Sequence, residues 1–356
     1  MILVRNAAAC FVMTLAPSMV MAQTAIATVA VGDLPVAIAV NPVTHRVYVV
    51  NHGSHSVTVI DGSSRQTSTV NVEDRPEGVA VNPKTNRIYV ANAGGDSVSV
   101  IDGSTNAVSA TVHTQTYPQT LVVNTVTNKI YVANNFSHSV TVIDGASNAT
   151  ATIQVGQGPR AIALNPVTDK VYTVNYGSQT VTVIDGATGS TTSVDIGKHP
   201  WAIAVDPKAD KVYAVSEDSA SVTVIDGATN KPTALTVGEI PFAVDVNSLT
   251  GKAYVLSYGN DSMAVIDGAT DSVSKTIELG THPQAIAVDE QSDQIYVANQ
   301  RAGSVTVFDG KTNLPMAKVA VGTIPYALAI DAPAGLIYAA NYSSNNVTVI
   351  RGSKQK

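Results

Sequence analysis

Four side chains suited to acid–base or charge-stabilising chemistry punctuate this chain: Glu77, Arg160, His199 and Glu217. A carboxylate or an imidazole moves protons, a guanidinium holds a developing anion, and an enzyme needs such groups beside one concave pocket. Five aromatic residues stand in comparable positions: Trp201, Phe242, Tyr258, Tyr326 and Tyr342. Large aromatic side chains on a rigid rim are anchors for a protein or a carbohydrate. Simple filling of a wide opening would use the same residues. The aromatic set outnumbers the charged one, and four charged side chains around one opening need no catalytic reason. The residues therefore predict a non-catalytic binding or structural module, with a protein or carbohydrate partner, and not an enzyme. An enzyme working through Glu77, Arg160, His199 and Glu217 is the alternative. No cofactor is expected.

Seven histidines invite a metal reading. His45 falls in a turn of the repeated scaffold. His52, His55, His138, His199 and His282 fall in variable loops, and His113 ends a strand beside them. Three neutral imidazoles bind a transition metal when they converge. These are spread over separate repeats, so most pairs are far apart and no metal site is expected.

What positions all these residues is a repeat, which is sought before anything else. Tyrosines at one motif position run from Tyr48 to Tyr338 in steps of 41 or 42 residues, and a proline keeps the same register from Pro35 to Pro325. That makes eight units with no linker between them. In each unit a strand A follows the proline, as in the Ala-Ile-Ala-Val of residues 202–205. A turn such as Asn82-Pro83 leads to strand B, which carries the tyrosine. A variable loop leads to strand C, as in the Val-Thr-Val-Ile-Asp of residues 140–144, and Gly145 turns the chain into strand D. Asn-Pro and Asp-Gly pairs are turn chemistry, and alternation in Val-Thr-Val-Ile suits a strand with one face more buried. Four antiparallel strands every ~40–45 residues make a β-propeller blade. Strand A is mostly Ala, Ile and Val, which fits the crowded innermost strand.

The resemblance to a family follows from the motif. Tyr-Val-Ala-Asn recurs at 89–92, 131–134 and 296–299, each followed by Val-x-Val-Ile-Asp or Val-x-Val-Phe-Asp. This is similar to the YVTN family of β-propeller repeats, over nearly all of the chain beyond residue 22. Ser216 and Ser257 replace the strand-B Asn in units five and six, and Arg351 replaces the Asp in unit eight. The resemblance implies a surface-layer or periplasmic protein. Propellers of similar outline include lactonases and lyases that use His, Glu and Arg, sometimes with a divalent cation, which gives the alternative reading its chemistry.

Unit eight holds strands A to C and then the chain stops, while residues 24–32 read as a strand D with no A, B and C of its own. Joining the two removes two open strand edges. The expected fold is therefore all-β: a single propeller over residues 23–356, with eight four-stranded blades and the last built from 24–32 and 325–351. A seven-bladed ring with one eccentric unit is the alternative. In this order the A–B and C–D turns share one end of the ring and repeat monotonously. The D–A and B–C loops share the other end and differ from unit to unit. Function concentrates on loops held by a rigid scaffold, so the variable end is the expected functional face.

The first 22 residues stand apart. One positive charge, Arg5, precedes an apolar run interrupted by Pro17, and Val20-Met21-Ala22 presents short residues where a signal peptidase reads. This is a secretory signal, with cleavage expected near Ala22, rather than a membrane span, for which the run is too short. The protein is expected to be extracytoplasmic. Cys10 is the one cysteine and leaves with the signal, so no disulfide is expected. The remaining chain carries 20 basic against 27 acidic residues with no basic run, which argues against nucleic acid or an anionic membrane as partner. A monomer is expected.

Overall fold

The computed structural model describes residues 23–279 and 282–352; the expected signal, residues 1–22, lies outside them. Thirty-two strands form eight four-stranded antiparallel sheets in a ring. Seven sheets are consecutive in the chain, as in blade 1: Pro35–Asn41, Arg46–Asn51, Ser56–Asp61 and Thr67–Asn71. The eighth takes its outer strand from the other end of the chain: Thr24–Ala30 pairs with Asn346–Arg351, from Thr24 opposite Arg351 to Ala30 opposite Asn346. The described helix content is one 3-10 turn, Glu217–Ser219. The eight-bladed ring closed by its N-terminal strand is thus the fold, and the seven-bladed alternative is not.

The core is a set of eight seams rather than one centre. Each motif tyrosine is almost fully buried and packs across to the next blade. Tyr89 of blade 2 lies with Ile130, Val132 and Ile143 of blade 3. Tyr338 of blade 8 lies with Val47, Val49 and Ile60 of blade 1, which closes the ring. Burial pushes the Tyr131 phenol up to about 12, so these tyrosines act as neutral packing groups.

Polar pins repeat beside this packing. The cation that opens strand B donates to the C–D turn of the next blade: Lys129 Nζ to the Gly186 carbonyl at 2.6 Å, Lys252 Nζ to that of Gly310 at 2.6 Å. The Asn ending strand A reaches the next A–B turn, as in Asn41 Nδ2 to Asn86 Oδ1 at 2.8 Å. At the closing seam His45 Nδ1 and buried Asp331 serve instead, 2.9 Å apart. Turn aspartates such as Asp144 accept the N–H groups of their own C–D turn, and those donors hold the carboxyl below the usual range. One end of the propeller therefore repeats because its residues hold blades together.

Candidate functional site: the channel mouth

Every strand A carries the same irregularity just after its proline. The register slips between the first and third residues, as between Pro76 and Gly78 or Pro159 and Ala161, so the second residue has no partner on strand B. A bulge re-aims the side chain it frees. The freed residues are Val36, Glu77, Gln119, Arg160, Trp201, Phe242, Gln284 and Tyr326 in blade order. The repeated bulge thus sets one side chain per blade at the mouth of the central channel. Directly before the proline the backbone turns left-handed, with φ of 60° at Tyr117, 50° at His199 and 56° at Ile324. Non-glycine residues rarely adopt this conformation, and a β-branched one such as Ile324 least of all; the A–B turns of the plain face use it too, with φ of 53° at Asn86 and 56° at Asn128.

A cavity of about 500 Å³ opens at this mouth. Arg160 and Trp201 form one wall, and Tyr326 with Tyr342 another. Glu77, His52, Gln119 and Thr120 supply the remaining polar groups, and Val79 and Ala37 are among the apolar lining. Gly78 allows blades 2 and 3 to close under Glu77: a Cβ there would sit 2.9 Å from the Gln119 carbonyl oxygen. The Arg160 guanidinium lies over Trp201, its carbon 3.2 Å from the ring centroid, with the Tyr176 centroid 5.9 Å away. Trp201 is held in turn by Phe242, 5.2 Å between centroids. Among the described residues Arg160 has no hydrogen bond or ion pair. Burial lowers its pKa, opposed by the charges of Tyr326, Tyr176, Glu217 and Glu77; it remains a cation.

Glu77 accepts a hydrogen bond from the Tyr117 hydroxyl at 3.4 Å, and His52 Nδ1 lies 3.8 Å from it. Tyr117 stacks on Phe136 at 4.3 Å. Burial raises the Tyr326 phenol, with Glu77 adding to the rise and Arg160 opposing it. The mouth therefore gathers a cation, a carboxylate, an imidazole and phenols around one space.

Of the nine residues singled out from the sequence, Glu77, Arg160, Trp201, Tyr326 and Tyr342 line this cavity. Phe242 backs Trp201 from behind. The other three lie elsewhere on the face. His199 stacks on Tyr176 at 4.6 Å and pairs with Asp218 at 2.5 Å. Glu217 starts the 3-10 turn, and Tyr258 packs edge-on against His282 at 4.7 Å. Sequence reasoning passed over His52 and Gln119 as site residues, although each occupies a variable motif position. It also passed over Asp245. Three residues beyond the bulge on strand A of blade 6, Asp245 stands where the other blades carry Ala or, in blade 3, Val122. Its carboxylate accepts the N–H groups of Val246 and of Val288 in blade 7, both at 2.9 Å.

Burial raises Asp245 to about 6, with Glu290 pushing the same way against those two donors. Folding thus shifts its balance toward the neutral form relative to the unfolded chain. Its contribution to stability is full below the ordinary carboxylate value and is lost as pH rises through about 6. Asp245→Asn is therefore expected to melt above the parent at pH near ~7.5 and to converge with it near pH ~4. Thermal scans across that range check it, and a gap independent of pH would refute the assignment.

No family model matches the chain, and no curated protein matches it. Among solved structures it is similar to Kuenenia stuttgartiensis hydrazine synthase at 21% identity, with a TM-score of 0.64 over 90% of this chain and 96% of that one. It is also similar to dihydro-heme d1 dehydrogenase NirN in complex with DHE at 13% identity, with a TM-score of 0.70 over 84% of this chain and 68% of that one. Likeness at such identity carries the propeller fold.

Two expectations are corrected here. Both solved propellers named above carry the names of enzymes, so the expectations of a non-catalytic module and of no enzyme give way to the alternative reading. The physical reason lies in the mouth. There Trp201 meets both Arg160 and Phe242, Tyr326 and Tyr342 stand 5.6 Å from each other, and Glu77 and His52 share the same cavity. The aromatic residues frame a charged cavity, and the chain is an eight-bladed β-propeller with that cavity at one end of its channel.

Proposed function

We propose that the protein is an extracytoplasmic propeller enzyme of the YVTN type that binds a small carboxylate-bearing substrate in the channel mouth and acts on it by lyase-like proton transfer. One observation carries this reading: Arg160 sits in a cavity, pinned on Trp201, with no protein anion bound to it. A guanidinium so held offers a preorganised fork to a carboxylate. The compartment rests on the sequence of residues 1–22. In addition, no described helix is long and apolar enough to cross a membrane.

The residues around Arg160 suit an elimination. His52 takes the proton from the carbon next to the substrate carboxylate. The C–H electrons move into that carboxylate as an enediolate, whose added charge Arg160 stabilises. They then form a carbon–carbon double bond as the leaving group departs from the β carbon with its electron pair. Tyr326 supplies the leaving group's proton, and its raised pKa keeps it protonated until then. Exchange with water restores both groups. A screen of carboxylates with β leaving groups, including acidic sugars, followed by ultraviolet absorbance of the new double bond, tests the reading. His52→Ala and Tyr326→Phe are each expected to lower turnover ~10²-fold or more while substrate still binds. Turnover of lactones alone, unaffected by His52→Ala, would replace elimination by hydrolysis.

One atom favours a second reading. His52 Nδ1 is buried and makes no hydrogen bond, and one of the solved propellers is named as a dihydro-heme d1 dehydrogenase. A flat tetrapyrrole with carboxylates would place its iron on His52, a carboxylate on Arg160 and a ring face on Tyr326 or Tyr342. The iron would supply redox chemistry. Titration with haem decides: a Soret shift that His52→Ala removes supports this reading, and no shift eliminates it.

A further inference from the structure

We propose that the substrate of this mouth is a zwitterion, an amino-carboxylate whose carboxylate meets Arg160 and whose ammonium meets Glu77. The inference rests on the reading of the mouth as a carboxylate-substrate site and names its substrate class. Arg160 and Glu77 share one cavity yet form no ion pair with each other. Opposite charges on flexible side chains in a partly desolvated space attract strongly, so something must hold them apart. The structure shows what does. Arg160 is held over the face of Trp201, which Phe242 backs. Glu77 accepts from the Tyr117 hydroxyl on the loop that enters blade 3, and the bulge residue of that blade, Gln119, lies between their two blades.

Both groups keep capacity for a ligand. The guanidinium has five donors and none is used by a described residue. The partners of Glu77 are distant, at 3.4 and 3.8 Å. A simple carboxylate on Arg160 would leave Glu77 facing it, and a dicarboxylate would set like charges together. A ligand carrying a cation at its second end turns that repulsion into attraction. Tyr326, which senses both charges, stands where an ammonium meets an aromatic ring.

The test uses three ligands on one carbon skeleton: a carboxylic acid, its amino acid and the N-acetylated amino acid. Calorimetry on the mature protein is expected to give about tenfold tighter binding for the amino acid than for the other two, since each ~1.4 kcal/mol is tenfold. Glu77→Gln should reduce that preference to under ~3-fold, with the plain acid bound at least as tightly as before because it no longer faces a carboxylate. Arg160→Gln should weaken all three. Equal binding of acid and amino acid, both lost in Arg160→Gln, would overturn the zwitterion and leave the carboxylate site standing. Binding of none of a graded series of chain lengths would overturn both. The N-acetyl comparison needs no variant and decides the question if Glu77→Gln fails to fold.

Discussion

Removal of residues 24–31 is expected to cost ~4 kcal/mol or more of stability and to promote self-association. Val29 is buried in the closing seam, with Ile26, Ala27 and Val31 packed against the same cluster. Full burial of one aliphatic side chain is worth ~1.5–3 kcal/mol, so buried Val29 with half-buried Ile26 and Val31 together reach that figure before the strand's hydrogen bonds are considered. A domain stable by ~5–15 kcal/mol loses a large share. The same deletion uncovers strand Asn346–Arg351, whose Val347 and Val349 are fully buried in the intact ring. An apolar strand edge with free N–H and C=O groups recruits another chain. Denaturant melts with sedimentation measure both effects. A shortened protein that melts like the parent and sediments as a monomer would show that the N-terminal strand is dispensable.

The second large effect is expected from Arg160→Gln, a loss of ~100-fold or more in affinity for a carboxylate substrate, with turnover falling at least as far. A charge-assisted pair in a partly dry site is worth ~2–5 kcal/mol when one partner is truncated. Arg160→Lys should recover part of the binding, because an ammonium keeps the charge and loses the planar fork. The fold should not notice. The contact of Arg160 with Trp201 is worth ~0.5–2 kcal/mol, and the guanidinium serves no other described residue. Binding and melting measured on the same variants separate the two roles. An Arg160→Gln protein that binds carboxylates as the parent does would remove the basis of the proposed function.

Much of the architecture was written locally. A period of 41 or 42 residues with one tyrosine and one proline per unit repeats the same hydrogen-bonded blade, and each blade needs only its neighbours to bury its faces. An unpaired strand at each end of the chain made closure the economical outcome. The plain face was legible for the same reason, since Asn-Pro and Asp-Gly turns are short-range chemistry. The set of variable positions was legible as well, as the places where scaffold rules do not choose the residue.

Which of those residues meet was decided by the ring. Glu77, Arg160 and Tyr326 belong to blades 2, 4 and 8, and only the closed channel brings them to one cavity. His199 and Glu217 look equally promising in the sequence, yet the left-handed turn before Pro200 sends His199 to Tyr176 and Asp218, and Glu217 begins a helical turn. The sequence places Trp201 and Arg160 at the same motif position of neighbouring blades; only packing brings the guanidinium over the indole. Asp245 was visible as one acid in a column of alanines, but its raised pKa comes from burial between two blades. Sequence determines what each blade is, because strand pairing and turns act over a few residues. The tertiary structure decides the site, because charge, desolvation and reach act across distances that exist only once the eight blades have closed.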